Sequence, residues 1–166
     1  MLSLEPLRPD HAEALLAFER TNRAYFARSV PDRGDDYFAD FPSRHAALLA
    51  EQGAGTCRFH VIRDADGALV GRVNLVDIAD GTAELGYRVA EAAAGRGIAS
   101  AAVAEVCRLA AGPYGLRSLT AGTSVDNAAS QAVLVRNGFR FGHRYLLGGL
   151  PALAYRRDLD DLRPAH

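Results

Sequence analysis

The chain has 166 residues, 49% of them hydrophobic, and its 19 basic side chains nearly cancel 20 acidic ones to leave a formal charge of −1. That length and composition suit an ordinary apolar core, so residues 1–166 are expected to form a single domain. The charge balance leaves no excess positive field to hold nucleic acid or an anionic membrane surface, and favours a small-molecule or polypeptide partner.

The opening LSLEPLR alternates like a strand, and Asp10 with Glu13 three residues on reads as a capping box for the helix DHAEALLAFER. From Thr21 to Asp36 the pattern is irregular, and DDYFADFPSRHAALLAEQGA then resumes helical spacing with Pro42 as a break. TCRFHVIRD, ALVGRVNLVDIA and TAELGYRVA are three antiparallel strands, separated by turns at Ala65-Asp66-Gly67 and Asp80-Gly81. Gly97 to Ala111 reads as a helix, RSLTAGTS as a strand, NAASQAVLVRN as a helix, and FRFGHRYLL and ALAYRRDL as closing strands. The fold class is therefore α/β with a mixed sheet.

Cys57 and Cys107 lack the density of a secreted disulfide scaffold, which implies a reduced, cytoplasmic setting. The amino terminus carries scattered charges and no signal-length apolar run, and no stretch approaches about 18 apolar residues, so a soluble, unprocessed protein is expected. Cys57 and His60 have no second ligand pair and read as core and surface positions of a strand, so no metal is expected. Cys107 reads as packing, and His11, His45, His143 and His166 have no partner that spacing identifies.

Gly95, Arg96 and Gly97 stand against the start of an alanine-rich helix. Glycines there let unpaired backbone N–H groups approach an anion, although the same pair suits a plain strand-to-helix turn. A Rossmann reading fails because Ser100 occupies the third glycine's place, and no Gly-Lys-Ser/Thr follows for a P-loop.

The ordered set AELGYRVA, AGRGIAS, helix, strand and SVDNAASQAVLVRNGFRFGHR resembles the GCN5-related N-acetyltransferase (GNAT) family, in particular the branch that acetylates amino termini of ribosomal proteins. The resemblance is strong from Thr82 to Phe139 and rests on element order elsewhere. It implies a mostly antiparallel twisted sheet with a splayed parallel pair, about four flanking helices, acetyl-CoA as co-substrate and an amine acceptor. The family's pyrophosphate pattern, Gln/Arg-x-x-Gly-x-Gly/Ala, falls on Ala94 to Ala99, with Ala94 replacing the long polar residue. Cofactor contacts are thereby expected from Val89, Gly95, Arg96, Gly97, Ile98, Ala99, Ser100, Asn127 and Ser130.

Acyl transfer to an amine needs a base for the amine and a proton for the departing thiolate. Strand alternation puts Glu84, Gly86 and Arg88 on one face, and the resemblance makes Glu84 the general base. Leu134 stands where many members carry an acid tyrosine; the ribosomal-protein branch has Asn-x-x-Ser instead, matching Asn127 and Ser130, so Ser130 is the candidate, with Tyr145 and Tyr87 behind it. An Asn cap followed by a serine is equally ordinary helix initiation. Tyr25, Phe26 and Arg28 are expected to line the acceptor side. The acceptor is a protein N-terminus or a small amine, towards which Asp32, Asp35, Asp36 and Asp40 offer negative charge; a non-catalytic acyl-CoA-binding module is the remaining alternative. The expected assembly is a monomer or homodimer.

Overall fold

The computed structural model describes residues 2–164; Met1, Ala165 and His166 lie outside the described residues. The strands are β1 (Ser3–Pro6), β2 (Arg58–Arg63), β3 (Leu69–Ala79), β4 (Thr82–Val89), β5 (Ser118–Ser124), β6 (Arg140–Leu147) and β7 (Leu150–Asp158). The helices are α1 (Ala12–Thr21), α2 (Arg23–Phe26), α3 (Asp35–Ala39), α4 (Phe41–Gly53), α5 (Ile98–Ala111) and α6 (Ala128–Arg136). Four helices are long and two are single turns, α2 falling inside the stretch expected to be irregular. Among the described residues no helix is long and apolar enough to cross a membrane.

All seven strands belong to one sheet in the order β1-β2-β3-β4-β5-β7-β6, antiparallel except for β4 with β5. The α5 crossover joins that parallel pair, as a parallel connection requires. Pairing runs from Thr82 opposite Ser118 to Leu85 opposite Ala121 and then stops. Beyond it Gly86–Val89 stay bonded to β3, and Gly122–Ser124 to β7, so the sheet opens into a wedge.

Side-chain alternation builds a core on each face. Ala102, Val103, Val106, Cys107 and Ala110 form the buried stripe of α5 at helical spacing, packed with Val73, Leu75, Leu85 and Leu119 of the sheet. On the other face Phe59 and Val61 of β2 meet Leu15 of α1 and Tyr37, Phe38 and Phe41.

Two expectations are corrected. Asp10 does not cap α1: a short 3-10 turn over Pro9–His11 precedes the helix, His11 Nδ1 accepts from the Arg8 N–H at 3.0 Å, and the Asp10 carboxylate pairs with Arg8 Nε at 3.0 Å. His60 is not at the surface: β2 lies between β1 and β3 with both faces covered, so Cys57 and His60 are both buried. His60 Nδ1 lies 3.0 Å from Val73 O and its Nε2 lies 2.6 Å from the Tyr114 hydroxyl, which assigns donation to the first and acceptance from the second. Pro42 sits in the first turn of α4, where proline is tolerated, and separates it from α3.

Candidate active site

A cleft of about 460 Å³ lies where β4 and β5 part. Tyr87, Arg88 and Val89 of β4 form its floor. One wall holds Gly95 and Gly97, the first residues of α5 (Ile98, Ala99, Ser100), and Asn127, Ser130, Val133 and Arg136 around α6. The opposite wall holds Tyr25 and Phe26 of α2, followed by Ser29 and Val30.

Gly95 and Gly97 have φ of +77° and +75°, a backbone region that only glycine enters without strain. A Cβ on either would meet nothing within 4 Å, so the glycines also leave the turn's face bare towards the cleft. Among the described residues no side chain caps α5, and its first backbone bond runs from the Ala101 N–H to Gly97 O at 3.0 Å. The N–H groups of Ile98, Ala99 and Ser100 are therefore without helical acceptors at the positive end of the helix dipole, an arrangement suited to an anion. Ala94 is extended and brings no polar group.

Arg96 does not line this cleft. Its Nη2 lies 3.7 Å from Asp64 Oδ2, while Asp64 Oδ1 accepts the N–H groups of Asp66 and Ala68 at 3.0 Å in the β2–β3 turn. On the α5–α6 wall a cation is supplied instead by Arg136, which sequence reasoning passed over. Ala129, Val133 and Arg136 recur at i, i+4 and i+7, so helical spacing contained the signal. Asn137 ties the two helices together, its Nδ2 donating to Ser100 O and Oγ at 3.2 Å.

The Asn127 side chain accepts the Ser130 N–H at 3.1 Å and caps α6. Ser130 Oγ lies 2.9 Å from the Tyr87 hydroxyl, so two groups weighed separately in the sequence form one hydrogen-bonded pair on the cleft. Burial raises the Tyr87 phenol above its ordinary pKa, against the bond from Ser130, and keeps it a neutral donor.

Glu84 is exposed and lies on the opposite face of β4 from the buried Ala83 and Leu85. Tyr145 is close to it: burial and then the Glu84 charge raise the Tyr145 phenol, and a Cβ on Gly122 would collide with the Tyr145 hydroxyl. Tyr145 is thus grouped with Glu84 and β5, apart from the Tyr87–Ser130 pair.

Beneath Phe26 lies a charged cluster that the sequence did not announce. Glu19 is 1% exposed, and its carboxylate takes Arg72 Nη1 at 3.0 Å, Arg88 Nη1 at 2.9 Å and Arg33 Nε at 3.3 Å. The Arg88 guanidinium also lies 4.5 Å over the Phe26 ring. Arg23 is engaged by Asp32 at 2.7 Å and Asp35 at 2.9 Å. Arg28 stands outside the cleft, 3.7 Å from Glu91 and 5.8 Å from the Tyr25 ring centre.

An acetyltransferase (GNAT) domain model matches residues 1–140. A probable N-acetyltransferase of Bacillus subtilis (strain 168), YjcK, is 30% identical over 142 residues, covering 82% of this chain and 78% of that protein. Mycobacterium smegmatis RimJ in complex with CoA-disulfide superposes with a TM-score of 0.87 at 26% identity, over 99% of this chain and 85% of that one. The ribosomal-protein-S5-alanine acetyltransferase of Vibrio fischeri superposes at 0.88 with 19% identity, over 98% and 96% of the two chains. The wedge between β4 and β5, the glycine turn beside it and these likenesses agree: the chain belongs to the GNAT family of acetyltransferases.

Proposed function

We propose that residues 1–166 form one acetyl-CoA-dependent N-acetyltransferase domain that acetylates a primary amine, the α-amine of a polypeptide, by direct attack in a ternary complex. The observation that carries this reading is the convergence on one cleft of the bare Gly95–Gly97 turn and the Tyr87–Ser130 hydroxyl pair. The co-substrate's pyrophosphate is assigned to the N–H groups at the start of α5, and its pantetheine arm to the Val89 backbone and Asn127. The two buried free cysteines fit a reducing, cytoplasmic compartment.

The neutral amine attacks the thioester carbonyl carbon, and Glu84, directly or through water, takes the proton that the new C–N bond releases. As the tetrahedral intermediate collapses the C–S bond breaks, and its electron pair stays on sulfur. The Tyr87–Ser130 pair donates a hydrogen bond to that thiolate, which takes its proton from solvent. A tyrosine with a raised pKa is a poorer acid than a thiol, so its part is donation to developing charge.

A polycationic small amine is less well served, because Asp32 and Asp35, two of the acids nearest α2, are already bound to Arg23. The test is thiol release from acetyl-CoA with peptides beginning in alanine or serine. Glu84→Gln is expected to lower kcat/KM by about 100-fold near neutral pH. The deficit should shrink above the α-amine pKa of about 8, where the amine is already neutral. Equal rates for both proteins from about pH 6 to about pH 9 would remove Glu84 as base. Calorimetric binding of acetyl-CoA without any acetylation would leave the acyl-CoA-binding module.

A further inference from the structure

Arg88 belongs at once to the cleft and to the buried cluster beneath it. Its Nη1 donates to Glu19, and among the described residues its Nε and Nη2 donors have no hydrogen-bond acceptor. A guanidinium carries five N–H donors, so most of the capacity of this one, which borders the cleft, is left without a protein acceptor. Its side chain is 20% exposed, so those donors are open to a ligand that enters the cleft.

The surrounding charge has a positive excess. Glu19 is a single carboxylate shared by Arg33, Arg72 and Arg88, and the nearby Asp32 and Asp35 are occupied by Arg23. Gathering three guanidiniums, one of them buried, on one carboxylate is costly, and a further anion in the cleft would offset part of that cost. Burial and the charge of Arg33 both pull the Arg88 guanidinium below its ordinary pKa, as expected where positive charge is in excess.

Position on the strand supplies the rest. Arg88 and Glu84 share a face of β4 and are four residues apart, about 13 Å at about 3.3 Å per residue. Side chains reaching from both ends leave a gap that one or two extended residues fill. We propose that Arg88 is the acceptor-recognition residue, forking onto a carboxylate carried by the first residues of the acceptor, and that Glu19 is its positioning residue. The inference rests on the reading that an amine is acetylated beside Glu84. The acceptor class it names is an amine with an acidic side chain or a free carboxylate within about two residues, and polyamines are disfavoured.

The experiment uses matched acceptors with the full chain. One pair is an alanine-initiated peptide amide with aspartate or asparagine at its second residue; the other is an alanine dipeptide with a free or an amidated carboxyl end. Wild type is expected to favour the acidic member of at least one pair by about tenfold in kcat/KM, mainly through KM, with the ratio falling as salt is added. The pair that responds identifies the source of the carboxylate. In Arg88→Gln the ratio should collapse to within a factor of about two, and Arg88→Lys should restore only part of it, since a point charge lacks the fork. Equal wild-type rates on acid and amide, a ratio that survives in Arg88→Gln, or a preference for spermidine would overturn the proposal. The wild-type ratio and its salt dependence decide even if the variant folds poorly. Calorimetric binding of the same peptides to the CoA-loaded protein separates this inference from the acetylation reading. Arg88-dependent preference without turnover would sink the reaction and keep the recognition, and turnover of every amine without preference would do the reverse.

Discussion

The two walls of the cleft are built by different means. The α5–α6 wall presents backbone N–H groups, small residues and a hydroxyl, held by glycine dihedrals and two helix starts. The α2 wall presents aromatic rings over an arginine whose place depends on a buried carboxylate contributed by α1. The first wall offers groups that nearly any sequence of the right backbone shape supplies, which suits a co-substrate whose phosphates never change. The second depends on particular side chains that only the fold brings together, which suits selective recognition of an acceptor.

The largest expected effect breaks the second wall. Glu19→Gln leaves three guanidiniums around a neutral amide, and removing one partner of a buried ionic cluster costs about 3–5 kcal/mol. At about 2–4 °C per kcal/mol for a chain of this size, the thermal midpoint should fall by about 6–20 °C. Acetyl-CoA affinity of the fraction still folded should hold, because the α5 start does not rest on Glu19. A midpoint shift of less than about 3 °C would show that water already screens the cluster and that Glu19 is not the anchor inferred here.

Gly97→Val is the corresponding attack on the first wall, and its main effect should be on binding. A β-branched residue at φ +75° is strained by about 1–2 kcal/mol, and its side chain would project onto the bare face of the turn. The dissociation constant for acetyl-CoA should rise by at least about tenfold by calorimetry, which corresponds to about 1.4 kcal/mol. Loss of stability with unchanged affinity would reduce the glycine pair to a joint between strand and helix.

The same contrast explains what the sequence disclosed. Backbone shape is written locally, so the element order, the three-strand meander, the positive-φ turn and the α6 cap were all legible within windows of a few residues. Tyr87 and Ser130 were both noticed, but their pairing depends on α6 lying across the end of β4, and their separation of 43 residues hides it. Glu19 reads as an ordinary charge at the end of an amphipathic helix, since Arg72 and Arg88 are 53 and 69 residues away and only the fold brings them together. The Asp10 cap failed for a smaller reason of the same kind: Arg8 and His11 compete for the same turn.

Arg96 marks the boundary between the two sorts of information, and its removal should have the smallest effect. Its place in the glycine pattern suggests a phosphate contact, yet it is exposed, turned to the outer side of the turn and paired with Asp64 at 3.7 Å. A surface pair of that kind contributes about 0–1 kcal/mol, and the cleft's cation on the α5–α6 wall is Arg136 on the other helix. Arg96→Ala should therefore change acetyl-CoA affinity by less than about threefold, whereas Arg136→Ala should weaken it more and flatten its dependence on salt. If instead Arg96→Ala costs more than tenfold, about 1.4 kcal/mol, the side chain must leave Asp64 for the phosphates on binding, and the first wall would be less purely a backbone device than its geometry indicates.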